Sequence, residues 1–202
     1  MRKHALLWAI IGCTVTGCAT YNQKRLQVQQ QNALALVQEV CELANADHRL
    51  DPIRNQVPAN VSAATLPQLN DARKATPQQR DAIESIGSAY AACYAQTDHY
   101  LDTFAGAAVA TRYRELLQGL KQTEAALWGG EITFGDFNSV RAQLFQGFTK
   151  DAYSIQQRQQ LAQQQMEIQR QQAAAAILGA TYRPPSTTSC WGGLGAVTCN
   201  TR

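Results

Sequence analysis

Few residues in this sequence could do chemistry. Two Asp-His pairs, Asp47-His48 and Asp98-His99, stand shortly after Cys41 and Cys93, and metal binding is the chemistry such a set would serve. Zinc takes four ligands at about 2.0–2.3 Å, so the two pairs would have to meet. Asp98 and Asp102, one helical turn apart, form a carboxylate pair of the kind used in acid-base work. The sequence holds no Gly-x-Ser-x-Gly elbow, Walker loop, dinucleotide-binding glycine pattern or His-Glu-x-x-His. What these residues can do depends on the elements that carry them.

From about Tyr21 to Ala46 the chain is built of Gln, Ala, Leu and Val without proline or glycine. Leu26, Ala33, Val37, Val40 and Ala44 recur there at helical spacing. Asp51-Pro52 ends this first helix, and Pro52, Pro58 and Pro67 punctuate a connection that reaches Ala75. Connections this long are uncommon unless they are functional or disordered. Thr76-Pro77-Gln78-Gln79 combines a threonine N-cap, proline at the first helical position and a glutamine able to close a capping box, so a second helix starts here. Its apolar stripe runs Ile83, Ile86, Tyr90, Cys93, Thr97, Tyr100, Phe104. It resumes as Val109, Tyr113, Leu116, Leu120, Glu124, Leu127 after a break in phase near Gly106. The expectation is one long helix to Leu127, kinked or stuttered at Gly106 and closed by Gly129-Gly130.

A third helix starts at Thr133-Phe134-Gly135-Asp136, with threonine as cap and an acidic residue in the first turn. Phe134, Phe137, Val140, Leu144, Phe148, Ala152 and Ile155 make its buried face. Ten of the seventeen residues from Gln156 to Gln172 are glutamine. That stretch reads as a solvated helix, the alternative being an interface with another chain, which would make a homo-oligomer. Gly179 and Pro184-Pro185 end the helix, leaving residues 179–202 as a Pro/Ser/Thr-rich tail.

Cys13 lies in the N-terminal apolar segment, whereas Cys41, Cys93, Cys190 and Cys199 are an even set suited to an oxidising compartment. Sequence proximity pairs Cys190 with Cys199, in a hairpin whose Gly192, Gly193 and Gly195 permit a tight turn, and leaves Cys41 with Cys93. The other possibility is four free or metal-bound thiols in a cytosolic protein. A Cys41–Cys93 bridge makes the first two helices antiparallel, with Val37 level with Thr97. The short turn near Glu131 makes the second and third antiparallel, with Tyr113 near Thr149, Leu120 near Ala142 and Phe104 near Arg158. The expected fold is all-α: an elongated antiparallel three-helix bundle, residues 18–178, with a disulfide-closed C-terminal tail. In that frame His48 is level with residue 86, ~20 Å along the axis from His99. The Asp-His pairs then cannot share a metal, and both they and the carboxylate pair read as solvated positions. No catalytic residue, metal or bound cofactor is expected.

The chain opens with Arg2, Lys3 and His4, then runs apolar from Ala5 to Val15 with only Gly12 and Thr14 interrupting, and reaches Thr16-Gly17-Cys18. Eleven or so helical residues span only ~17 Å, well short of a bilayer core of ~30 Å. This is the layout of a signal peptide, residues 1–17. Val15-Thr16-Gly17-Cys18 resembles the lipobox of bacterial lipoprotein precursors. The resemblance implies cleavage before Cys18, diacylglycerol on its thiol and a fatty acyl group on its new amine. Two or more acyl chains hold a protein stably on a membrane. Ala19, not aspartate, follows the cysteine, which by the sorting pattern of enteric lipoproteins implies the outer membrane, lipid-anchored and periplasm-facing.

Removing Arg2 and Lys3 leaves sixteen basic against fifteen acidic residues, interspersed, so the electrostatic footprint of a nucleic-acid binder is missing. Trp128, Ile132 and Phe134 crowd the turn between the second and third helices, and Trp191 sits on the tail hairpin. These four are candidate partner-binding residues, the alternative being that Trp128 and Phe134 staple the hairpin tip and Trp191 packs on the bundle. The sequence reads as a lipid-anchored envelope protein that is not an enzyme and acts as an accessory, scaffolding or inhibitory module on an envelope protein. Two other classes remain: a small envelope hydrolase, which needs a polar cleft with perturbed carboxylates, and a binder of a small apolar ligand, which needs a cavity between helices.

Overall fold

The computed structural model describes the backbone of residues 3–181, 188–193 and 196–201, and the side chains of residues 23–178 and of Cys190. The protein is mostly helical. Six α-helices are described: α1 (Lys3–Asn45), α2 (Leu66–Leu69), α3 (Pro77–Ala89), α4 (Ala91–Phe104), α5 (Ala107–Trp128) and α6 (Phe134–Thr181). They are followed by a hairpin of β1 (Thr188–Gly193) and β2 (Ala196–Thr201). Two compact units divide at Ile155/Gln156, inside α6. The reason is visible in the side chains: every described residue from Gln156 to Leu178 is exposed.

In the first unit, the cysteine pairing read from the sequence is present. Cys41 on α1 is bonded to Cys93 on α4, with Cα atoms 4.7 Å apart. Gln30 donates to the Tyr100 hydroxyl and the Tyr90 hydroxyl donates to Asn45 on the two sides of this bridge, so α1 and α4 run antiparallel. The expected long second helix, however, does not exist. Residues 77–128 form three helices, and at Gly106 the chain reverses instead of kinking. Arg114 pairs with Asp98 at 2.9 Å, and Leu101 packs on the cluster of Tyr113, Leu116 and Leu120. Helices α4 and α5 therefore lie side by side, which overturns the three-helix arrangement. Gly106 makes the reversal possible. Its backbone, at φ +93° and ψ 156°, is in a region that only glycine occupies without strain.

The second turn follows the sequence closely. Gly130 (φ +71°) ends α5 in a Schellman arrangement, with Glu131 N–H donating to Ala126 C=O and Gly130 N–H to Leu127 C=O. Thr133 and Asp136 then cap α6 reciprocally: the Asp136 carboxylate accepts from Thr133 N–H and Oγ1, and Asp136 N–H donates to Thr133 Oγ1. Tyr113 meets Phe148 and Arg112 faces Asp151, as an antiparallel α5–α6 pair requires.

The connection between α1 and α3 is a structured strap. It contains 3₁₀ turns at His48–Ile53 and Val61–Ala63 and the single turn α2, capped by Thr65 and Gln68. Buried Asn138 of α6 clamps it by donating to Gln56 C=O (2.8 Å) and Gln68 C=O (3.0 Å). The start of α6 also donates from Phe134 N–H and Gly135 N–H to Arg73 and Asp71 carbonyls. A Cβ on Gly135 would stand 2.7 Å from Leu69 C=O, so only glycine allows that approach. The core falls into two clusters. One joins Leu50, Ile53, Ile83, Ile86, Leu127, Phe134 and Phe137. The other joins Tyr113, Leu116 and Leu120 with Leu101, Leu144, Phe145 and Phe148.

In the second unit α6 continues as a solvated helix, with Leu161, Met166 and Ile168 each more than half exposed. The hairpin sets Cys190 opposite Cys199 in register, and Cys190 is disulfide-bonded. Gly106→Ala should lower stability by roughly 1–3 kcal/mol. This would be read as a lower urea midpoint; an unchanged midpoint would show that the reversal does not depend on glycine.

Candidate functional site

Between the two core clusters lies a cavity of about 410 Å³, lined from α1, the strap, α3, α4, α5 and α6. The lining has a simple origin in helical spacing. Tyr90, Tyr94, Thr97 and Leu101 recur at steps of four, three and four, and so do Tyr113, Leu117, Leu120 and Glu124 on α5. Phe137, Arg141, Phe145 and Phe148 supply the α6 wall at steps of four, four and three. Each set is one face of one helix, and the reversal at Gly106 turns the first two faces toward each other. Leu34 and Val37 of α1 and Val57 and Pro58 of the strap complete the walls.

The lining is predominantly apolar, with a few polar groups whose surroundings decide what the cavity can hold. Arg141 donates from Nη1 to the Pro58 carbonyl at 3.2 Å, and its guanidinium lies over the Phe137 ring at 5.4 Å. Among the described residues no carboxylate comes within 4 Å of it. Burial pulls its pKa below the ordinary arginine value, and Tyr94, Tyr90 and Glu124 partly offset this. Glu124 has no hydrogen-bond or ion-pair partner among the described residues. Burial pushes its carboxyl up to about 7, against the opposing pull of Arg141 and Lys121. The Tyr94 hydroxyl is pushed up by burial first and by Glu124 second, and Tyr90 and Tyr113 also rise through burial. The site thus holds a half-buried cation and a half-buried carboxyl facing one predominantly apolar space without forming a pair.

The residues singled out from the sequence lie elsewhere. Asp47 caps the first 3₁₀ turn and binds Arg49 at 2.6 Å, which holds its carboxyl down to about 2. Asp98 is engaged with Arg114, and among the described residues His48 pairs with Asp51. No group of three metal-ligating side chains occurs among the described residues. Of the four candidate partner residues, Phe134 is buried at 1 % exposure in the core and cannot touch a partner. Ile132 packs partly buried on the same cluster. Trp128 is 47 % exposed, over a groove that also includes Ile83, Lys121 and Ala125. The Trp191 side chain lies outside the described residues, as does that of Cys18. The backbone of residue 18 is within α1, and no described helix is long and apolar enough to cross a membrane.

The cavity was partly announced in the sequence. Glu124 falls within the apolar stripe of its helix, a position where a carboxylate needs a reason. Arg141 gives no such signal, because it follows Val140, through which the stripe is counted. No protein-family model matches this sequence, and no curated protein or solved structure does.

Glu124 gives the fold a pH dependence of definite sign. Its ordinary value is 4.5 and its folded value about 7, so between these the folded state keeps a proton that the unfolded state has lost. Stability therefore falls as pH rises through this window. Glu124→Gln removes that slope. Its stability relative to wild type should grow by roughly 2–3 kcal/mol between about pH 5 and about pH 8. Urea midpoints at the two pH values measure it, and parallel curves for the two proteins would refute it.

Proposed function

We propose that this protein binds a small, largely apolar ligand within its helical bundle, and that it does so as a lipid-anchored protein of the outer membrane facing the periplasm. The observation that carries the reading is the cavity of about 410 Å³ between the two core clusters, apolar over most of its wall with few convergent polar groups. That size and character are those of small-molecule sites, which run to roughly 300–1,000 Å³. Anchoring rests on the sequence at Val15-Thr16-Gly17-Cys18, which would place diacylglycerol and fatty acyl groups on Cys18 after removal of residues 1–17.

The reading is one of binding without chemistry. Glu124 is a perturbed carboxyl of the kind hydrolases use, but the lining sets no serine, histidine or free thiol beside it. Contact with an envelope protein becomes secondary. It would use Trp128, because Phe134 is committed to the core. The Gln-rich part of α6 is the place for self-association, if the protein is a homo-oligomer.

A neutral apolar dye, N-phenyl-1-naphthylamine, tests the cavity directly. It should bind with a rise in fluorescence. Val37→Trp, which fills the α1 wall, should weaken binding by about tenfold or more. Trp128→Ala should leave it unchanged. Absence of binding to the wild type, or binding indifferent to Val37→Trp, would refute the reading.

A further inference from the structure

We propose that the ligand is an amphiphile with a carboxylate head and an aliphatic body, and that Arg141 is its head-group site. The inference rests on the cavity being a ligand site and adds the sign and place of the ligand's charge. Two guanidinium groups line the cavity, and they differ in what they already hold. Arg54 places four of its five donors: it bonds Asp51 through Nε and Nη2 and the Asn45 and Asp47 carbonyls through Nη1 and Nη2. Arg141 carries five N–H donors and places one, on Pro58 C=O. Its remaining donors have no acceptor among the described residues.

A half-buried cation with no counter-charge beside it is an unfavourable feature in an apolar site. It is tolerable where a counter-anion arrives with the ligand. The only carboxyl of the cavity wall, Glu124, does not reach it within 4 Å. Protonation can discharge Glu124, as its raised value indicates, whereas arginine stays charged throughout the accessible pH range. The permanent charge of the cavity is therefore positive and sits at Arg141. The planar guanidinium, held over the Phe137 ring and tied to the strap by Pro58, is preorganised for the two oxygens of a carboxylate. Tyrosines 90 and 94 lie near enough to act on the Arg141 charge, while Leu34, Val37, Leu101 and Phe148 supply an apolar wall for the body.

Calorimetric titration of the intact protein with three ligands of one chain length, dodecanoate, dodecanol and dodecylammonium, tests this near neutral pH. Dodecanoate should bind about tenfold or more tighter than dodecanol, and dodecylammonium weakest. Arg141→Gln should erase the preference for dodecanoate while leaving dodecanol affinity within about threefold of wild type. Equal affinities for the three in the wild type, or tighter binding of dodecylammonium, would overturn the head-group assignment and leave the cavity as an apolar site. The wild-type comparison decides this even if the variant fails to fold. Failure of all three ligands together with failure of the naphthylamine dye would refute the cavity reading itself.

Discussion

One backbone conformation, at Gly106, governs this fold. A φ of +93° with ψ of 156° admits glycine and almost nothing else, and it converts a continuous apolar stripe into two antiparallel helices. Without the reversal, the faces headed by Tyr90 and by Tyr113 would point along one side of one rod and could not enclose space. With it, they confront each other, and α6, returned by the Schellman turn at Gly130, closes a third side. The Cys41–Cys93 bridge then fixes α1 as the fourth. Chain-entropy arguments give a loop of this span roughly 4 kcal/mol of stabilisation. That is the scale needed to hold a helix whose partly exposed face, including Leu34 and Leu36, contributes little to either core cluster.

The space so enclosed is energetically demanding. Its apolar walls forgo the packing contacts that a filled core would make. The half-buried groups at Arg141 and Glu124 act in the same direction. Offsetting them are features concentrated around the rim: the Asn138 clamp on the strap, the close approach of Gly135 to Leu69, and three reciprocal caps at Thr65, Thr76 and Thr133. Rigidity outside and incomplete packing inside belong together. A bundle meant only for stability would have brought its two core clusters into contact.

Much of this was written in local sequence. Thr76-Pro-Gln-Gln and Thr133-Phe-Gly-Asp start helices by capping chemistry that needs no tertiary context, and both are present. The Cys41–Cys93 pairing followed from the proximity of Cys190 and Cys199 in the sequence, and the α5–α6 register from counting levels along antiparallel helices, because rise per residue is fixed by backbone geometry. The long connection was harder, yet Thr65-Leu-Pro-Gln repeats the threonine-to-glutamine box of Thr76 and marks α2. The reversal at Gly106 was not legible, because a stripe that stutters by one residue is common to a kink, a register shift and a turn. Backbone φ decides among them, and a glycine permits all three. Arg141 was hidden for a related reason. A stripe counted through Val140 and Leu144 describes the face toward α5, whereas the cavity lies one residue round the helix, at Phe137, Arg141 and Phe145.

The proposed anchor and the proposed cavity share a helix, and this constrains how a ligand would arrive. Cys18 and Val37 both lie in α1, a continuous span of regular backbone. Nineteen residues at 1.5 Å each make ~28 Å, with no flexible linker to lengthen it. An acylated Cys18 would thus keep the cavity within about 28 Å of its point of insertion, whatever the tilt of the helix. The bilayer is then the nearest reservoir of amphiphiles, and confinement at its surface raises their effective concentration without any new contact. A soluble carrier would gain nothing from such tethering. For a binder of membrane-derived carboxylates, the fixed reach of α1 would make the proposed anchor and the proposed Arg141 site parts of one device.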